Sequence, residues 1–525
     1  MKRTRDSKTV LTVFSWVFLA AAFMALVVYL CVHVKDRLDS DMASEMVLAK
    51  QLFQNGKIIS ANWYYSTEIR VVNTQMVYAL FFNVFQDWQL VRIFGNILLY
   101  LALLGSYYFL CRRLRIERYF PLTAGLLLLP LSGNYFYILW YGAYYIPRIS
   151  MMFLILGMLI PASETSMNSA KKIALFAVPA ILSFLLGLEG ARMILILFIP
   201  LAILVCAEAV SRLLTRGKQG KMLLSDWISE LSRFDFANLF LQSALACVAA
   251  LAGYLINATN LSKTFSFDQV ALEFRFSIVK VIRTIENQFQ TIGSTLVTYA
   301  LSVAIWVFVA ILCFSYLLSK SKKPLTSVRF IGFCVIAWVC YSVCSCALSI
   351  ELVAWHLVPI AILSVPAIVM ILKDSNIKLV LRHSLGAGIC ACLLIVGIQG
   401  YASFDHWPDR EGERCNDEFV KIAAVLEQEH LNGGYATFWN SNILTELTDG
   451  KVDVWSVNGF DAKTTVQPDV FHWLQVMSHG TELPAGNVFV LWTTQEYQKY
   501  NRLHFDYFGK EIYRSDAYVV FEVEQ

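Results

Sequence analysis

Eleven apolar stretches, near 10–34, 89–111, 119–135, 147–161, 173–188, 191–209, 238–256, 293–318, 330–349, 352–372 and 384–401, dominate this chain. Crossing a bilayer takes roughly 20 mainly apolar residues per helix, because every backbone polar group must be satisfied inside the segment. A chain patterned this way has few alternatives to a polytopic helical membrane protein. The composition agrees: 57% of residues are hydrophobic, 16% are charged, and the mean hydropathy is +0.55, outside the soluble range.

Charge sets the orientation. Lys2, Arg3, Arg5 and Lys8 precede the first stretch, which is too long for a signal peptide and lacks a small-residue cleavage site, so it reads as a retained helix with a cytoplasmic N-terminus. Alternating sides then puts Arg112, Arg113, Arg115 and Arg118, Lys171 and Lys172, Arg212, Arg216, Lys218 and Lys221, Lys320, Lys322 and Lys323, and Lys373, Lys378 and Arg382 inside. The outer segment from Lys35 to Arg70 balances five basic residues against five acidic ones. The net charge of +4 is therefore topological and gives no reason to invoke nucleic acid. Eleven crossings place the C-terminus outside the plasma membrane. Of the twelve cysteines only Cys415 falls in that tail, so no disulfide framework is implied, and the Cys334, Cys340, Cys344 and Cys346 group reads as helix packing.

The chain thus divides into a transmembrane domain over 1–401, with outer loops at about 35–88 and 257–292, and an extracytoplasmic α/β domain over 402–525. In the first loop an amphipathic helix is expected, capped by Asp41, with Met42, Met46, Ala49 and Phe53 on one face and Asn55-Gly56 at its end. A second helix is expected from Thr74 to Trp88, and both should lie along the membrane surface. The second loop carries a helical pattern in "FDQVALEFRFSIVKVIRTIENQF" and glycosylation triplets at Asn257 and Asn260, and "LLSDWISELSRFDF" reads as an inner interfacial helix. In the tail, helix signals at 416–430 and 441–448 alternate with strand signals in "YATFW", "KVDVWSV" and "NVFVLW", and a hairpin closes the chain.

Three carboxylates just above the first span carry the chemical interest. Asp39 and Asp41, two apart, can be aimed by a turn at one cation or one acceptor, whereas Asp41 and Glu45 share a helical face. Such acids can act as a general base or hold a divalent cation, Mg or Mn, with Asp39 and Asp41 as the ligands. On the local residues alone, chemistry and a solvated loop with a helix cap stand level.

The segment "DMASEMVLAKQLFQNGK" resembles the region after the first span of GT-C class membrane glycosyltransferases, of the protein mannosyltransferase and aminoarabinose transferase type. There an acidic residue precedes a surface helix of the form Leu-Ala-x-x-Leu ending in Gly, and the loop layout is similar. The alignment puts Asp41 at the catalytic acid. The family's common Asp-Glu pair is Asp41-Met42 here, with Asp39 or Glu45 as the replacement acid. The resemblance implies a GT-C-like, all-α polytopic domain with an outer C-terminal domain. It also implies inverting transfer of a sugar from a polyprenyl-phosphate donor to a glycan, lipid or protein acceptor on the outer face. The donor phosphate would then meet basic outer residues: Arg192, His356, Arg148 and Arg70. Gly190 and Pro359 shape the loops of the first two; each of the four also reads as a headgroup contact or, for Arg192, a partner of Glu189. Among the aromatic residues, "NYFYILWYGAYY" reads mostly as an interfacial belt, while Trp63, Tyr64 and Tyr65 are candidate sugar or lipid contacts. A transporter or flippase of lipid-linked sugars would use similar surfaces without bond breaking, but midplane ionisable residues and repeated halves are not evident. A catalytically silent scaffold is the third reading.

Overall fold

The computed structural model describes residues 2–67, 69–161, 169–217, 234–267, 273–290, 296–319, 321–348, 354–375, 378–404, 417–460, 468–482, 486–500 and 509–523. Cys415 and residues 223–233 of the expected inner interfacial helix lie outside these. The chain falls into two compact units. One comprises Met1–Leu26, Leu99–Asn260 and Val270–His406; the other comprises Val27–Leu98, Leu261–Gln269 and Trp407–Gln525.

The chain is an integral, multi-pass membrane protein. Among the described residues seven helices are long and apolar enough to cross a membrane: Val10–His33, Trp88–Arg113, Ile194–Leu214, Phe236–Thr264, Val297–Leu318, Leu325–Ala347 and Val380–Ala402. A bent pair, Gly133–Tyr141 with Ile146–Leu159, turns by 85° and makes an eighth candidate if it acts as one span. The expected span over 119–135 is interrupted: a helix Phe120–Leu127 stops ahead of Pro130, which has no amide hydrogen to continue the ladder, and a new turn starts at Ser132, whose hydroxyl accepts from the Tyr135 amide. The stretch from Tyr135 to Tyr145 is not an aromatic belt, because Tyr135, Phe136, Trp140, Tyr141, Tyr144 and Tyr145 are all buried. Trp140 meets Tyr100 edge to face at 5.4 Å. Helices Ser169–Leu188 and Phe234–Ile256 approach so closely that a Cβ on Gly187 would collide with the Ala250 carbonyl oxygen, the small-residue contact that packing in lipid favours. Asn257 is buried and its amide nitrogen donates to the Leu188 carbonyl (2.8 Å), which leaves that triplet unavailable to a glycan. Within the 257–292 loop a helix runs from Ile278 to Gln290, and residues 268–272 of the expected helical pattern lie outside the described residues.

In the other unit, Met46 and Ala49 of the helix Ser40–Asn55 share a core with Tyr78 of the helix Thr74–Phe81 and with Phe82, Trp88 and Val91. The second helix is shorter than expected because Asp87 accepts from the amides of Gln89 and Leu90 and so begins the next helix, Trp88–Arg113. Among the described residues eight strands occur, in chain order β1 Trp63–Tyr64, β2 Gly433–Thr437, β3 Asp453–Phe460, β4 Pro468–Val470, β5 Gln475–Val476, β6 Val488–Thr493, β7 Gly509–Arg514 and β8 Tyr518–Val523. Six of them form a mixed sheet in the order β4-β3-β2-β6-β8-β7, parallel at β3-β2-β6 and closed by the β7-β8 hairpin. In β6, Phe489 and Leu491 join the core shared with helices Asp417–Gln428 and Phe438–Leu447, while Val488, Val490 and Trp492 join the opposite core. That is the period-2 alternation of a strand buried on both faces.

Candidate functional site

The acid-bearing helix starts two residues earlier than its sequence suggests. Asp39, in extended conformation, is the N-cap, and its carboxylate accepts the Met42 amide at 2.9 Å. Asp41 is not the cap. It sits half-buried in the first turn, where the positive end of the helix dipole favours a carboxylate. The C-terminus is as expected: Gly56 adopts φ +61°, and Lys57 N–H reaches back to the Leu52 carbonyl.

One turn after Asp41, Glu45 is 4% exposed. One of its oxygens holds the Arg70 guanidinium and the other accepts the Thr74 hydroxyl at 2.9 Å. Arg70 is thereby committed to a carboxylate, and its carbonyl accepts the Gln75 amide nitrogen. Glu45, Arg70 and Gln75 line a small pocket together with Ser44, Leu48, Trp63, Tyr65, Ser66 and Leu474. Trp63 and Tyr64 are fixed by antiparallel pairing of β1 with β5. Only the first of them and Tyr65 face this pocket; Tyr64 stacks on His472 at 4.5 Å. The Tyr65 hydroxyl accepts from the Ser60 amide and donates to its carbonyl. Burial, opposed by the Ser60 hydrogen bond and helped by the Glu45 charge, pushes the Tyr65 phenol up to about 12.

Sequence reading passed over the group that holds this helix in place. Arg92 is 1% exposed and forks onto Glu446, with Nε at 2.6 Å from Oε1 and Nη2 at 2.7 Å from Oε2. The same Nη2 donates to the Met42 carbonyl at 2.9 Å, in the first turn of the acid-bearing helix. Burial raises the Glu446 carboxyl, with Arg92 pulling against it. Nearby, the Trp88 amide donates to Asp449 at 2.8 Å. The available signal was an arginine near the start of an apolar helix, since such a charge requires a partner.

In the other unit, Arg148 and Glu189 form a buried pair at 2.5 Å. Arg192 donates to the Tyr145 hydroxyl at 2.8 Å and lies against its ring. It follows Gly190, whose φ of +108° is open to glycine. His356 is buried in the turn Ala354–Leu357, whose Leu357 packs with Ile196, Tyr341 and Ile360. Among the described residues no three His, Cys, Asp or Glu side chains converge.

No family model and no curated protein matches the chain. Among solved structures it is similar to ArnT from Cupriavidus metallidurans in the apo state, at 14% identity over 97% of this chain and 98% of that one, with a TM-score of 0.56. It is also similar to ArnT from the same organism bound to undecaprenyl phosphate, at 13% identity over 96% and 97% of the two chains, again with a TM-score of 0.56. At that identity the likeness is one of fold, and it runs nearly end to end: apolar helices first, then a sheet-containing C-terminal region, as expected from the sequence.

Proposed function

We propose that the chain is a membrane glycosyltransferase of the GT-C type that takes its sugar from a polyprenyl-phosphate donor. The observation that carries this reading is the likeness over nearly the whole chain to an ArnT that binds undecaprenyl phosphate. The resemblance of the acid-bearing segment to GT-C enzymes supports it independently.

In this reading transfer occurs at the outer face, with the N-terminus cytoplasmic and the C-terminus outside. Asp41 takes the proton of an acceptor hydroxyl, the acceptor oxygen attacks the anomeric carbon from the side opposite the phosphate, and the C1–O bond to phosphate breaks with inversion. The departing polyprenyl phosphate leaves with the bonding pair, and Arg192 and His356 stabilise its charge. Asp39 and Glu45 serve differently from Asp41. Asp39 caps the helix, and Glu45 ties it to Arg70 and Thr74, so both orient the base. A divalent cation at Asp39 and Asp41 is no part of this scheme, and chelation of the purified protein should leave turnover unchanged.

The test incubates purified protein in lipid with radiolabelled polyprenyl-phosphate sugars and acceptor lipid or glycan extracts. Release of bare polyprenyl phosphate supports transfer, whereas movement of label across the bilayer without release points to a flippase. Labelling of Cys415 by an impermeant reagent in intact cells checks the orientation; labelling only after lysis overturns it.

A further inference from the structure

We infer that the helix Ile278–Gln290 binds lipid: it lies in the bilayer at the end of the spans it packs on, with its C-terminal half the deeper. Its sides face three different surroundings. Thr284 and Gln288, one turn apart, are 7% and 8% exposed and form the side turned to the protein, where the Gln288 Nε2 donates to the Ser342 hydroxyl at 2.6 Å. Ile278, Ile282, Ile285 and Phe289 recur at helical spacing on another side, and the three isoleucines are 67%, 60% and 49% exposed. Arg283 and Glu286, also exposed, mark a third. A helix that turns polar side chains inward and leaves an apolar stripe outside is favoured only where that stripe meets something other than water.

The neighbouring elements identify the occupant. The helix packs on the spans Val297–Leu318 and Leu325–Ala347, and Val339 and Val343, which flank Ser342 in sequence, are exposed on the second span and so face lipid. Two hydrogen bonds pin the N-terminal end at the tip of that span: the Arg275 amide donates to the Ala347 carbonyl at 2.8 Å, and the Lys280 Nζ to the Leu348 carbonyl at 2.6 Å. The C-terminal end reaches further along the spans. Ser342, which holds Gln288, and Ser302, whose hydroxyl donates to the Phe289 carbonyl at 2.7 Å, each sit five residues inside the end of a span. At 1.5 Å per residue this is roughly 7–8 Å, within the roughly 5–10 Å to which an interfacial helix sinks its apolar side. Thirteen residues make only about 20 Å of helix, too short to cross a core of about 30 Å. Arg283 and Glu286 then meet headgroups and water. The turn Ala354–Leu357 packs on the same helix, so the lipid-bound segment adjoins the turn that carries His356. Lipid contact here does not depend on glycosyl transfer.

The experiment uses the full-length wild type in phosphatidylcholine nanodiscs and three carbene probes: phosphatidylcholine with a diazirine near its glycerol, phosphatidylcholine with a diazirine at mid-chain, and a water-soluble diazirine. Mass spectrometry maps the adducts, with the exposed side chains Val307 and Ile311 of the span Val297–Leu318 as the lipid control. Lipid-borne label should appear on Ile278, Ile282, Ile285 and Phe289, while Arg283 and Glu286 take the aqueous label. The ratio of mid-chain to glycerol-level label should rise from Ile278 to Phe289. The double variant Ile282→Asp with Ile285→Asp should lose the lipid label across the helix, because carboxylates are costly in hydrocarbon, and keep it at Val307 and Ile311. Lipid label confined to the control residues, aqueous label on the isoleucines, or protection of the stripe from every probe (a second copy or another protein covering it) overturns the inference. A flat or reversed depth ratio, or undiminished label in the double variant, overturns it too. The wild-type arms decide on their own should the variant misfold.

Discussion

Glu446→Gln is the sharpest test of how the tail is tied to the acid-bearing helix. Glu446 and Arg92 are 1% exposed each, and the guanidinium spends Nε and Nη2 on the two carboxylate oxygens at 2.6 and 2.7 Å, with Nη2 also on the Met42 carbonyl. Glutamine keeps the shape but removes the charge, and it turns one acceptor into an NH2 facing the guanidinium. Arg92 is then a buried cation without its counter-charge, a change that costs about 3–5 kcal/mol. For a cooperative unit of 150–250 residues each kcal/mol moves the midpoint by roughly 2–4 °C, so the transition should fall by about 6–20 °C. Thermal unfolding in detergent measures the shift. Hydrogen exchange locates it, and faster exchange is expected in peptides covering 40–46 and 441–448 together. The double variant Arg92→Met with Glu446→Leu should recover most of the loss, because replacing both charges leaves nothing stranded. A drop below about 2 °C, or a double variant worse than the single one, would refute the assignment of this pair as a buried, mutually dependent link.

Other expectations concern single residues. Asp41→Asn keeps size and removes basicity, so folding should survive while release of polyprenyl phosphate slows by roughly 10²-fold or more; near-normal turnover by folded protein removes Asp41 as the base. Because Asp39 is the N-cap, Asp39→Asn should be close to neutral in stability, whereas Asp39→Ala should lose about 1 kcal/mol; equal thermal midpoints for the two would contradict the capping geometry. Arg192→Lys should still lower turnover, since a point charge does not reproduce a guanidinium that both donates to Tyr145 and lies on its ring, and full activity in Arg192→Ala would take it out of the site. In the tail, the Tyr513 hydroxyl, ahead of smaller help from Ser515 and Lys421 and against burial, holds the Glu418 carboxyl below its usual value. A depressed folded pKa stabilises above the unfolded value, near 4.5, and that contribution is lost as pH falls through the folded value. Tyr513→Phe should therefore be destabilised at pH 7 and converge with the wild type in acid, as pH-dependent unfolding would show; a constant difference across pH would argue against the hydrogen bond as its source.

Sequence alone was sufficient wherever one element's own residues decide the outcome. Apolar length marks seven of the eleven expected membrane helices among the described residues, Asn55-Gly56 ends the acid-bearing helix in the left-handed turn that glycine adopts freely, and alternation in "NVFVLW" yields a strand buried on both faces. Even here a local ambiguity survived: Asp39 and Asp41 are both good caps, and which one is used depends on where the backbone leaves the extended region, at Asp39. Partnership was not legible. Glu45 meets Arg70 and Thr74 across 25 and 29 residues, Trp63 pairs with Val476, and Arg92 finds Glu446 354 residues away. No periodicity encodes such pairs, because a carboxylate's partner is chosen by which side chains packing brings within hydrogen-bond reach, and burial then makes that choice costly to undo. The aromatic run from Tyr135 to Tyr145 shows the same limit: its composition suits an interface, but the break at Pro130 and the 85° bend turn it inward, and only the packed helices determine which medium those rings meet.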